Sequence, residues 1–284
     1  MDKNNKILHW DDKQYKYDRT VSLKRRLSWP IRKLPDFLII GAEKAGTTSL
    51  YEYLNQTPRV VRSRFKEIDF FNAHYAKGIH WYRACFPSKI KYPSKKYLTG
   101  ESSPGYMFHP LASKRVQKFI PNVKIIIILR NPIDRAYSHY KMSIAQGREK
   151  LSFENAIDAE EKRLEGERER LLEGNDNSVW NYWIYSYISR GIYVNQLKDW
   201  FSKFSKNQFL VLNYDDLASD PDSFLNNVLD FLNLPEFHLK NYKIFVKGNY
   251  EPIKESMREK LQKIFTPYND ELAKYLGNDF GWNK

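Results

Sequence analysis

Three short, unbroken apolar runs punctuate the chain: Phe37–Ile40, Lys124–Leu129 with its core Ile125-Ile-Ile-Ile-Leu129, and Phe209–Leu212. Runs of this length without polar alternation predict strands buried on both faces, as in a parallel sheet. Elsewhere apolar residues recur three and four positions apart. They do so over Thr47–Leu54, Ala112–Phe119, Asp134–Ala145, Tyr182–Phe201, Pro221–Leu232 and Ile253–Leu276, which predicts amphipathic helices. Strands alternating with helices predict an α/β fold, a central parallel sheet with helices on both faces. The stretch 153–174, with Glu160-Glu-Lys-Arg163 and Glu167-Arg-Glu-Arg170, is charge-dense and predicts a solvated helix laced with opposite charges.

Length and charge refine this picture. At 284 residues the chain suits one large domain over 35–284, preceded by a basic arm at 1–34. The balance of 47 Lys+Arg against 34 Asp+Glu gives +13, and residues 1–35 alone hold ten basic residues against four Asp. Such an excess fits a polyanionic partner, a multiply phosphorylated nucleotide, an anionic membrane surface or simple solubility. Cys85 is the only cysteine, so no intramolecular disulfide can form. No apolar segment follows the first residues as in a leader peptide, and no run approaches the ~18 residues of a membrane span. The cytoplasm is the expected compartment. The six histidines are scattered and no His/Cys/carboxylate cluster has ligand spacing, so no metal is expected. His139, beside Ser138, is the one histidine that stands out.

The first candidate for chemistry is the junction Phe37-Leu-Ile-Ile-Gly-Ala-Glu-Lys-Ala-Gly-Thr-Thr-Ser-Leu50. An apolar strand, a loop with two glycines and a helix start at Thr47 make an anion site, because converging backbone N–H groups and the helix dipole favour negative charge. Gly41 and Gly46 keep the spacing of an ATP-binding P-loop, but Thr47 stands where that pattern requires lysine, and the lysine here is Lys44, inside the loop. Lys44 can reach the end of a 5′-phosphate-like group while Thr47, Thr48 and Ser49 donate hydroxyl hydrogen bonds. The second candidate is Arg130-Asn-Pro-Ile-Asp-Arg-Ala-Tyr-Ser138. Arg130 lies at the carboxyl end of a predicted buried strand, where open α/β sheets bind ligands, and Ser138 follows two helical turns on. Arg135 reads equally well as an ordinary helix-surface charge.

These segments resemble the two nucleotide-binding signatures of the sulfotransferase superfamily, whose donor is 3′-phosphoadenosine 5′-phosphosulfate (PAPS). Lys44-Ala-Gly-Thr-Thr-Ser49 is similar to its 5′-phosphosulfate loop, and Leu129-Arg-Asn-Pro with Arg135-Ala-Tyr-Ser138 to its 3′-phosphate element. Phe65-Lys-Glu-Ile-Asp-Phe-Phe-Asn72 and Lys77-Gly-Ile-His-Trp-Tyr-Arg83 resemble the heparan-sulfate-type carbohydrate branch, and Gly100-Glu-Ser-Ser-Pro-Gly-Tyr106 its next acceptor-cleft segment. Arg190-Gly-Ile-Tyr193, Leu210–Leu217 and Val246-Lys-Gly-Asn249 follow in the family's order. The chain departs from the branch at Asp69, where histidine is usual, and at Ser102, where lysine is usual; the lone Cys85 leaves no bridged loop.

The resemblance implies that Lys44 neutralises the bridging oxygen as the phosphosulfate bond breaks, while Ala45, Gly46, Thr47, Thr48 and Ser49 form the loop around the 5′-phosphate. It implies that Arg130, Ser138, Lys247, Gly248 and Asn249 hold the 3′-phosphate end and that Tyr214 meets adenine. Glu67 is the implied general base, with Lys66 orienting the sulfonate or the acceptor. The implied products are the sulfated acceptor and 3′,5′-phosphoadenosine (PAP). The acceptor is a carbohydrate or glycolipid or, alternatively, a small natural product. Two rival functions stay open on the residues alone: a P-loop small-molecule kinase and a basic nucleic-acid-binding protein. Against the second, no RNA- or DNA-binding module is legible. Oligomeric state leaves no trace in the sequence.

Overall fold

The computed structural model describes residues 19–93, 96–175, 179–243 and 251–283. Four parallel strands form the centre: β1 (Phe37–Gly41), β2 (Gly100–Ser102), β3 (Lys124–Leu129) and β4 (Phe209–Asn213), in the order β2-β1-β3-β4. Phe37–Ile40 and Ile125–Leu129 have no solvent exposure, as strands covered on both faces require. β1 and β3 run in register from Phe37↔Lys124 to Ile39↔Ile126, then slip so that Gly41 faces Ile127. Beyond that slip the Ala42 amide donates to the Ile128 carbonyl at 2.7 Å, which carries the pairing into the loop after β1.

The helices, in chain order, begin with α1 (Leu23–Leu27), α2 (Thr47–Leu54), α3 (Gly78–Ala84), α4 (Ala112–Phe119) and α5 (Pro132–Ala145). Then come α6 (Phe153–Asp158), α7 (Glu160–Leu164), α8 (Glu167–Leu172) and α9 (Trp180–Ile184). The series ends with α10 (Tyr193–Phe201), α11 (Tyr214–Ser219), α12 (Pro221–Phe231) and α13 (Glu255–Leu276). α5 opens on a proline at its first turn, and the Asn131 side chain caps it by accepting from the Ile133 amide at 3.0 Å.

Two departures from the sequence pattern have physical causes. The single helix expected over Tyr182–Phe201 breaks between α9 and α10. There the buried Arg135 guanidinium donates to the Ser186 and Tyr187 carbonyls, and the Glu160 carboxylate accepts from the Ile188 and Ser189 amides at 2.6 and 2.8 Å. Groups from other elements thus take the backbone partners a continuous helix would have used internally. The charged stretch is likewise not one solvated helix but three short ones, with Glu160 and Glu167 buried.

Strand β2 is absent from the apolar pattern because it is polar, Gly-Glu-Ser. Its Gly100 lies so close to the Phe37 ring that a Cβ there would come within 2.4 Å of a ring carbon. The described part of the basic arm, residues 19–34, packs on the domain. Arg25 donates to the Ala84 and Phe86 carbonyls at 2.9 Å each, and the buried Lys33 ammonium pairs with Asp36 at 2.9 Å. Part of the positive excess is therefore spent inside the fold. No helix among the described residues is long and apolar enough to cross a membrane.

Candidate functional site

The crevice lies beyond the carboxyl ends of β1 and β3. From β1 the chain crosses to β2 on one side, and from β3 to β4 on the other, so connections diverge and leave the strand ends open, as at a topological switch point. The loop after β1 turns through two left-handed residues, Lys44 (φ 71°) and Gly46 (φ 83°), and enters α2. No side chain caps the start of α2, and a helix start offers backbone donors and a partial positive charge to an anion. Gly46 is confined as well as left-handed: a Cβ there would lie 2.6 Å from Leu217 Cδ2 and 3.1 Å from the Tyr214 ring.

Lys44 is half-buried, its Nζ 3.5 Å from Met142 Sδ on α5. Desolvation, then the nearby Arg130 charge, lower its pKa to about 8, with Glu67 opposing. Arg130 follows β3 and its Nη1 donates to the Lys44 carbonyl at 3.0 Å, while its guanidinium lies 4.7 Å from the centre of the Tyr214 ring. Tyr193 Oη donates to the Arg130 carbonyl at 2.9 Å. Ser138 is buried on α5, and Thr47 and Ser49 are buried in the first turn of α2. Among the described residues, neither Lys44 nor Arg130 forms an ion pair with a carboxylate. Two cations held together at an uncapped helix start fit a phosphate-bearing group, which would relieve their mutual repulsion.

Opposite the loop after β1 sits the turn Lys66–Asp69. The Lys66 ammonium donates to Thr48 Oγ1 at 2.7 Å and to Glu67 Oε1 at 3.1 Å, bridging the two loops. Glu67 and Asp69 both take left-handed backbone angles, φ 55° and 51°. Asp69, in the place of the branch's histidine, is bound by Arg19, whose Nη2 donates to Oδ2 at 3.0 Å and whose Nη1 donates to the Ile68 carbonyl at 2.6 Å.

The structure thus gathers Lys44, Ala45, Gly46, Thr47, Thr48, Ser49, Lys66, Glu67, Arg130 and Tyr214 about one crevice, with Ser138 on the helix that follows Arg130. Lys247, Gly248 and Asn249 lie outside the described residues. Arg135 is not a surface charge: it has no solvent exposure, and its Nε and Nη1 find no partner, because α5 turns that side toward the α9–α10 connection. His139 is also buried, and desolvation with the Arg135 and Lys44 charges holds it well below the ordinary histidine range, hence neutral. One contact had no sequence signal beyond the Arg190-Gly-Ile-Tyr motif. Arg190 pairs with Glu43 of the loop after β1 while its guanidinium lies 4.9 Å from the Phe108 ring centre and 5.7 Å from that of Trp183. Two open cavities, about 470 and 700 Å³, are lined elsewhere, one by Asp36, Asn122 and Lys124, the other by Tyr75, Lys114 and Lys118.

The chain resembles known proteins over most of its length. A family profile described as "Sulfotransferase domain" matches residues 34–266. The bifunctional heparan sulfate N-deacetylase/N-sulfotransferase 1 of Caenorhabditis elegans is 33% identical over 272 residues, covering 86% of this chain but 30% of that protein. Mouse heparan sulfate glucosamine 3-O-sulfotransferase 6 is 29% identical over 276 residues, 89% of this chain and 75% of that one. The crystal structure of a sulfotransferase from Alicyclobacillus acidocaldarius superposes with a TM-score of 0.72 at 26% identity, covering 89% of this chain and all of that one. The chain therefore spans under a third of the bifunctional relative and three quarters of the 3-O-sulfotransferase.

Proposed function

The chain belongs to the sulfotransferase domain family, and on that premise we propose that it moves a sulfuryl group from PAPS to a hydroxyl or amine of a carbohydrate acceptor. The observation that carries this reading is the pair of bridges across the crevice: Arg130 to the Lys44 carbonyl and Lys66 to both Thr48 and Glu67. They bring a phosphate grip, a cation for the leaving group and a carboxylate within one another's reach.

When bound, the nucleotide supplies an activated sulfuryl group and a phosphate that departs with added negative charge. The α2 amides with Thr47, Thr48 and Ser49 hold the 5′ end, and Lys44, its ammonium kept close by Met142, answers the departing charge. Arg130 and Ser138, with Lys247, Gly248 and Asn249, hold the 3′-phosphate, and Tyr214 stacks near the base. Glu67 accepts the acceptor's proton, and Lys66 orients the carboxylate against the phosphate loop. Such positioning supplies most of the rate for an in-line group transfer.

A carbohydrate acceptor is supported by the similarity to heparan sulfate sulfotransferases. A cytoplasmic setting is part of the proposal and rests on the lone Cys85, which leaves no intramolecular disulfide to call for an oxidising compartment. The test is transfer of radiolabel from PAPS to heparan-derived oligosaccharides. Label in the oligosaccharide with release of PAP supports the reading. Label confined to small phenolic or alcohol acceptors would overturn the carbohydrate class, and binding of Mg-ATP without PAP would move the chain to the kinase reading.

A further inference from the structure

Glu101 is wholly buried on the edge strand β2, yet among the described residues no cation forms an ion pair with it. Its partners are three hydroxyls. Tyr82 Oη on α3 donates to Oε1 at 2.5 Å, Tyr106 Oη donates to Oε1 at 2.9 Å, and Ser103 Oγ donates to Oε2 at 2.7 Å. Two of these hydroxyls also accept from backbone. The Asp69 amide donates to Ser103 Oγ at 3.0 Å, and the Phe70 amide donates to Tyr106 Oη at 2.8 Å. Each hydroxyl has one hydrogen, and Glu101 takes it, so its lone pairs are left facing the two amides.

That direction matters because of what the amides belong to. Glu67 and Asp69 hold left-handed angles that non-glycine residues rarely adopt and that persist only where the surroundings over-determine them. Within that turn the Asp69 and Phe70 amides are the ones pinned.

We propose that Glu101 is a positioning residue for sulfuryl transfer: as an acceptor-only carboxylate it orients Ser103 and Tyr106 to clamp the turn that carries Glu67. This rests on Glu67 being the base. Glutamine at 101 would turn an amide donor toward a hydroxyl hydrogen, and the hydroxyl could relieve that clash only by turning its own hydrogen toward the turn's N–H. Burial pushes Glu101 up to about 7, against the hydrogen bonds from Tyr82, Ser103 and Tyr106 and with the Asp69 charge adding, so the carboxylate is mostly ionised at pH 8. Cys85 also senses its charge from the end of α3, and Arg19 shields Asp69 from the other side.

The test is Glu101→Gln beside Glu67→Gln and the double variant, assayed at pH 8 with PAPS and an oligosaccharide acceptor. Should Glu101→Gln not fold, Tyr106→Phe, which removes the acceptor for the Phe70 amide, takes its place. The expected result is kcat down by about tenfold to a hundredfold with PAP affinity within about twofold. The Asp69 and Phe70 amides should exchange with solvent faster, and the double variant should be no slower than Glu67→Gln alone. Wild-type protection of those amides, or losses that multiply in the double variant, would overturn the proposal. Wild-type turnover in Glu67→Gln alone would overturn the base assignment instead, while amide exchange still reads whether Glu101 holds the turn.

Discussion

Lys44 shows how one residue's surroundings set its chemistry. In the free protein its pKa lies at about 8 because burial and Arg130 disfavour the ammonium. The sign follows: the folded value is below the unfolded one, so the charged lysine opposes folding below about pH 8, and this group's contribution to stability rises with pH from about 8 toward its unfolded pKa. A bound phosphate favours the ammonium and raises the value. PAP binding should therefore take up a proton above pH 8, and affinity should fall by up to about tenfold per pH unit there, read by titration calorimetry in buffers of different ionisation enthalpy. Binding with no proton uptake at pH 9 would remove Lys44 from contact with the phosphate. Glu67→Gln should leave PAP affinity within about twofold and lower turnover by about a hundredfold or more, the usual worth of a positioned base. Equal loss of both would remove Glu67 from that role. The residue types at 44, 66, 67 and 130 were legible from the sequence. The burial of Arg135 was not, because helical periodicity places a residue on a face but does not say what packs against it.

At the scale of elements, the strand–loop–helix unit depends on Gly46. Its left-handed angle and the space taken by Leu217 and Tyr214 leave no room for a Cβ. Gly46→Ala should lower stability by about 1–3 kcal/mol in denaturant unfolding and weaken PAP binding, since the loop must shift to admit the methyl. Unchanged PAP affinity would show that the loop does not cradle the nucleotide. The α9–α10 connection depends on Glu160. Glu160→Ala would leave the Ile188 and Ser189 amides without their acceptor, and a loss of about 1–3 kcal/mol is expected, read as a lower midpoint in chemical denaturation. A midpoint within error of the wild type would mean that solvent reaches those amides. The pattern located five of the six expected amphipathic helices within two residues, because each carries its own apolar face. It mis-set the sixth, where Arg135 and Glu160 reach in from distant positions.

At the scale of the whole molecule, PAP should stabilise the fold by mass action, about 2.7 kcal/mol at a hundred times its dissociation constant, and raise the melting temperature by several degrees. Arg130→Ala should lose most of that shift at the same PAP concentration. A shift with Mg-ATP and none with PAP would contradict the proposed donor. The sequence by itself determined the α/β class, three of the four strands and the segments that carry Lys44 and Arg130, because buried apolar runs, a glycine loop and a helix start are local features. Only the tertiary structure decided the edge strand β2, the union of Lys44 with Arg130 and the tie between Lys66 and Thr48. It also decided the hydroxyl web around Glu101 and the use of arm arginines as donors to the domain. Those arise where segments tens of residues apart meet in the folded chain, and a desolvated polar group must find its partner there, wherever along the sequence that partner lies.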